Sequence, residues 1–80
     1  MERQEIVTKI IEYVGGKDNI SNAWHCMTRL RFDLKDRTLI NEEGIKGLEG
    51  IMGIQYAKEQ LQIIIGTSVH KYYEILMQKL

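Results

Sequence analysis

Residues 25–36 read "HCMTRLRFDLKD". From Arg29 onward Leu30, Phe32 and Leu34 alternate with Arg29, Arg31 and Asp33. A period of two is the mark of a strand with one face in the core and the other turned to solvent. The spacing therefore predicts a strand from Arg29 to about Lys35. Working backward, Ile20 to about His25 reads as a second strand, and the short link through Cys26, Met27 and Thr28 makes the pair a hairpin. The thiol of Cys26 then sits at or near the tip.

The flanking sequence supplies helices. Ile6, Val7, Ile10, Ile11 and Val14 recur at three- and four-residue spacing over residues 2–14 and share one helical face. Glu2 and Glu5 suit the positive end of that helix, and Gly15-Gly16 supplies its left-handed stop before a turn at "KDNI". Residues 41–48 read as a short helix with Asn41 as N-cap, acidic Glu42 and Glu43 in its first turn, and Ile45 and Leu48 as its apolar face. "GIMGIQYAKEQLQIIIG", residues 50–66, divides at the polar "KEQ" into a second hairpin, with Leu61, Ile63 and Ile65 set against Gln60, Gln62 and Ile64. A last helix, capped by Thr67 or Ser68, buries Val69, Tyr72, Tyr73, Leu76 and Leu80.

The predicted fold is α+β in the order α-β-β-α-β-β-α. It consists of a four-stranded, mostly antiparallel sheet of two hairpins, with three helices on one face and the other face partly open. The 80 residues, 44% hydrophobic and 28% charged, are enough for one small domain. Eleven basic and eleven acidic side chains cancel, so no net charge marks a nucleic-acid or polybasic membrane partner. One cysteine excludes an internal disulfide framework and fits a reducing compartment. No apolar run approaches the roughly 20 residues that span a bilayer, and the acidic, amphipathic start lacks a signal-peptide pattern.

Chemistry concentrates around Cys26. Side chains two apart on a strand stand about 6.6–6.8 Å from each other on one face, so Arg29 and Arg31 project together. Gln62, in the polar set of the last strand, joins them if the strand order allows. Guanidinium charge favours a thiolate and attracts anions, and its planar fork suits phosphate oxygens. Thr28 and the backbone N–H groups of the turn add donors. Spacing alone leaves two readings open in equal measure: a cysteine nucleophile in a phosphate-binding site, or a small buried cysteine beside arginines that merely solvate a strand face. His25 points away from Cys26 by strand parity, His70 reads as a structural helix residue, and His25 with Cys26 lacks the further ligands a metal site needs. Trp24 and the tyrosines are expected to pack.

"VGGKDNI", "HCMTRLRFDLKD" and "LQIIIGTSV", in this order and at these intervals, resemble the IIB domain of glucose-type phosphotransferase-system sugar transporters, within the β-glucoside, sucrose and trehalose branch. The likeness runs from about Glu5 to Leu76. It implies a fold of two hairpins with three helices on one side, and a phosphotransferase activity without a metal or organic cofactor. The implied nucleophile is Cys26, which takes a phosphoryl group from a phosphohistidine of a IIA domain and gives it to a sugar held by a membrane-embedded IIC domain. By the same resemblance Arg29 and Arg31 serve chiefly the transfer to sugar, while Thr28, Gln62 and the backbone N–H of Met27 bind phosphate. Met27 fills a place often held by a smaller residue, where its side chain is expected to crowd the turn. The implied location is the cytoplasmic side of a membrane transporter, with residues 1–80 a single IIB domain excised from a longer chain. The competing reading is a small regulatory or interaction module whose Cys26 is redox-sensing or structural. A cysteine phosphatase is disfavoured, because its loop sets an arginine six positions after the cysteine and Phe32 stands there.

Overall fold

A computed structural model describes residues Met1–Leu80. The elements are α1 (Arg3–Tyr13), β1 (Ile20–His25), β2 (Arg29–Leu34), α2 (Glu42–Lys46), β3 (Gly53–Ala57), β4 (Gln60–Ile64) and α3 (Val69–Lys79), with single 3-10 turns at Lys17–Asn19 and Arg37–Leu39. The strands form one sheet in the order β1-β2-β4-β3, and every neighbouring pair is antiparallel. The predicted α+β architecture is thus the observed one, and the strand order places β2 and β4 at its centre.

Register decides what each face carries. Leu30 pairs with Ile63 and Phe32 with Leu61 on the side covered by helices, where none of the four is more than 1% exposed. Arg31 pairs with Gln62 and Arg29 with Ile64 on the uncovered side. Opposite the sheet, Ile6, Val7 and Ile10 from the first helix, Val14 at its C-cap, and Val69, Tyr72 and Leu76 from the last close the core together with Ile45. The expected apolar stripe of α3 stops short. Leu80 lies beyond the helix and is 37% exposed. Asn41 caps α2 by accepting from the Gly44 N–H at 2.9 Å. Ser68 occupies the N-cap position of α3, but its hydroxyl makes no capping bond.

The first helix ends as its glycines require. Gly15 and Gly16 have φ of 104° and 91°, a region that costs glycine little. A Cβ on Gly15 would also stand 2.8 Å from that of Leu39. The chain then turns over buried Asn19, whose Nδ2 donates to the carbonyls of Val14 (2.7 Å) and Asp36 (3.0 Å) while its Oδ1 accepts from the Asp36 N–H (2.8 Å). One side chain therefore ties the end of α1 to the segment leaving β2. Asn19→Ala should lower unfolding free energy by about 2–3 kcal/mol, since it leaves the Val14 and Asp36 backbone groups without their partner. Urea denaturation at constant slope reads this, and a change under about 0.5 kcal/mol would refute it.

In the second hairpin the connection is Lys58-Glu59, with φ of 54° and 66°. Both residues take the left-handed conformation that a two-residue hairpin turn demands and that Asn-Gly adopts more readily. Gln60 is the first residue of β4 rather than part of the link.

Candidate functional site

Cys26 is the first residue after β1, and its N–H donates to the Arg29 carbonyl across the link at 3.0 Å. The link is also held from outside. The Thr28 carbonyl accepts from both Ile65 and Gly66 N–H groups at 2.9 Å, which pins the hairpin tip to the segment between β4 and α3. Gly66 makes that approach with φ of 112°. A short loop fixed at both ends gives the thiol a defined direction.

Arg31 reaches back along the strand so that Nη2 donates to Cys26 Sγ at 3.6 Å. The backbone N–H of Thr28 does most to stabilise the thiolate, followed by the Arg31 hydrogen bond. Partial burial opposes them, and the Arg29 N–H and the Arg31 charge add to the lowering. Together they bring the Cys26 pKa down from the ordinary thiol range to about 7. Donors that hold a sulfur anion are also donors for phosphoryl oxygens. Alkylation of folded protein should accordingly reach half its plateau rate near pH 7, and return to about pH 8.5 in denaturant. A folded-state midpoint at the denatured value would remove this electrostatic account.

The remaining predicted residues divide by position. Arg29 shares the open face but makes no bond to Sγ, its Nη1 donating instead to Gln62 Oε1 at 2.8 Å and Gln55 Oε1 at 3.0 Å. Gln62 is buried, and its Nε2 donates to Gln60 Oε1 at 3.1 Å. Arg31 Nη1 donates to the same Gln60 oxygen at 2.8 Å. Gln55 and Gln60 belong to the site without having been singled out from the sequence. Gln60 was accessible to that reading, being two residues from Gln62 on one strand. Gln55 was not, because its place depends on the β3–β4 pairing that sets it against Gln62.

Met27 is 87% exposed, so its side chain stands in solvent and does not crowd the turn. The N–H groups that act on the sulfur are those of Thr28 and Arg29. His25 pairs with buried Leu30 on the helix-covered side, its Nδ1 lies 2.9 Å from the Cys26 carbonyl oxygen, and its ring packs 4.6 Å from Tyr73 and 5.6 Å from His70. It is in no position to take a proton from the thiol. His70 pairs with Glu74 at 3.2 Å. Trp24 pairs with Arg31 on the open face, where it is half-buried and lies outside the core cluster.

No three His, Cys, Asp or Glu side chains converge on a metal-sized site, and no helix is long and apolar enough to cross a membrane. None of the surface hollows is lined by Cys26, Arg29 or Arg31. The thiol and its arginines lie on a shallow surface.

Residues 8–41, which include the Cys26 link and both arginines, match the family model for phosphotransferase system, EIIB. A solved domain of the PTS system IIabc component from Clostridium difficile superimposes with a TM-score of 0.85 at 32% identity, over 98% of this chain and 81% of that one. The chain belongs to the EIIB family of the phosphotransferase system. This EIIB domain is 38% identical over 78 residues to the beta-glucoside-specific EIIBCA component of Bacillus subtilis (strain 168), and 43% identical over 81 residues to the sucrose-specific EIIBC component of Pasteurella multocida (strain Pm70). It matches 98% and 100% of its own length in those comparisons, but spans only 13% and 17% of the two relatives.

Proposed function

We propose that this EIIB domain is the phosphocysteine carrier of a phosphoenolpyruvate-driven sugar uptake system for a β-glucoside, sucrose or trehalose. In the first step the Cys26 thiolate attacks the phosphorus of a IIA phosphohistidine. The S–P bond forms, the N–P bond breaks, and the released imidazole nitrogen takes a proton from solvent. In the second step a sugar hydroxyl in the IIC domain, taken as the 6-hydroxyl, attacks the same phosphorus. The O–P bond forms, the S–P bond breaks with Cys26 leaving as thiolate, and the hydroxyl proton passes to solvent. One group must be a good nucleophile and then a good leaving group, and a thiol with a pKa of about 7 serves both demands near neutrality.

The observation that carries the reading is Arg31 Nη2 at 3.6 Å from Sγ on an open surface. Phosphoryl transfer through a loose transition state depends on positioning and charge stabilisation. The Thr28 and Arg29 N–H groups and the Arg31 fork supply both at the sulfur, while the Arg29 guanidinium lies on the same face, held by Gln55 and Gln62. The names of the relatives join EIIB to C and A components, which supports a IIC acceptor and a IIA donor on the cytoplasmic side of a membrane for this domain too. Incubation with a phosphoenolpyruvate-driven relay ending in cognate IIA should add about 80 Da, one phosphoryl group, to the intact mass. No gain, with IIA shown to be phosphorylated and this domain folded, would overturn the carrier role.

A further inference from the structure

The two guanidinium groups are joined by an amide chain whose direction is fixed by chemistry. Arginine has donors and no acceptor, so the Gln62 oxygen must face Arg29, which turns the Gln62 Nε2 toward Gln60. The Gln60 group meeting that N–H must be its oxygen, and the same oxygen is what Arg31 Nη1 requires. The demands agree, and Gln60 Oε1 ends up holding one arm of the Arg31 fork while the other arm faces Cys26 Sγ.

Gln60 is the acceptor that this arm of Arg31 meets; Asp33, two residues along β2 on the same face, forms no ion pair with it. Ala57 lies across from it on β3, Trp24 lies across from Arg31 on β1, and Gln55 and the Gln62 oxygen are committed to Arg29. We infer that Gln60 is a positioning residue for phosphoryl transfer, acting through Arg31 to aim Nη2 at the sulfur and at the phosphoryl group it receives. The inference deepens the carrier reading, but its first test needs neither partner.

Gln60→Met keeps the side-chain length and removes the acceptor, at a partly exposed position at the hairpin end. Iodoacetamide alkylation of Cys26 as a function of pH is the readout, in wild type, Gln60→Met, Arg31→Met and the double variant, with circular dichroism to verify folding. Gln60→Met should move the midpoint upward by about half a unit, in the same direction as Arg31→Met. In the Arg31→Met background it should add nothing, because a residue acting only through Arg31 has nothing left to act on. A wild-type profile for Gln60→Met would overturn the inference, as would a shift that persists undiminished without Arg31. Should Gln60→Met fold poorly, Gln60→Ala is read against the same outcomes. A chain that shows the predicted alkylation cycle but no gain of mass from phosphorylated IIA would keep the positioning role and lose the carrier role.

Discussion

Cys26→Ser protein should take no phosphoryl group from phosphorylated IIA, while folding and unfolding like wild type. The substitution changes one atom in a link outside the core cluster and breaks no disulfide, so its effect on stability should stay within about 0.5 kcal/mol. Its effect on chemistry should be far larger. A thiol with a pKa near 7 is about half thiolate at neutral pH. A serine hydroxyl in the same place is essentially all protonated, and His25 is bound to the Cys26 carbonyl rather than poised to act as its base. Loss of the nucleophile should therefore reduce acceptance by more than about a thousandfold, read as the absence of the added mass on the variant alone. Equal phosphorylation of Cys26→Ser would place the phosphoryl group on another side chain and end the assignment of Cys26.

How much of this was legible beforehand depends on the range of the interaction involved. The alternation of Leu30 and Phe32 with Arg29 and Arg31 is local, and period two alone separates core from open face. Gly15-Gly16 marked the end of α1 equally well, because backbone sterics act within a few residues. What sequence could not fix was pairing between distant strands. The alignment of β2 with β4 brings Gln62 beside Arg31, and the alignment of β3 with β4 brings Gln55 within reach of Arg29. No residue on either strand announces its partner. Trp24 shows the same limit. Its size argues for packing, and only its register opposite Arg31 says on which face. "KEQ" marked the place of the Lys58-Glu59 turn but not its conformation, since neither residue type favours positive φ and the hairpin imposes it on both.

Arg29→Lys and Arg31→Lys should each leave phosphoryl acceptance in place and reduce transfer to sugar by about 100- to 1,000-fold, the usual cost of losing one oriented donor at developing charge. Lysine keeps the charge but brings a single ammonium in place of a planar fork. At position 31 the fork spans Gln60 Oε1 and Cys26 Sγ at once, and an ammonium placed at one of them abandons the other. At position 29 Nη1 is shared between Gln55 and Gln62, so the group must be released from two amides before it can follow the phosphoryl group to its acceptor. Acceptance is less exposed to either change, because the Thr28 N–H contributes most to stabilising the thiolate and belongs to a backbone that neither substitution alters. Transfer is exposed to both, because the phosphoryl group must leave the sulfur and the loop donors together, and the guanidinium groups, carried on long side chains rather than on the backbone, are the charges able to follow it. Single-turnover assays from phosphorylated domain to sugar in the presence of a matching IIC domain separate the two steps. Wild-type sugar phosphorylation by either variant would show that a point charge suffices there, and would count against the assigned roles of Arg29 and Arg31.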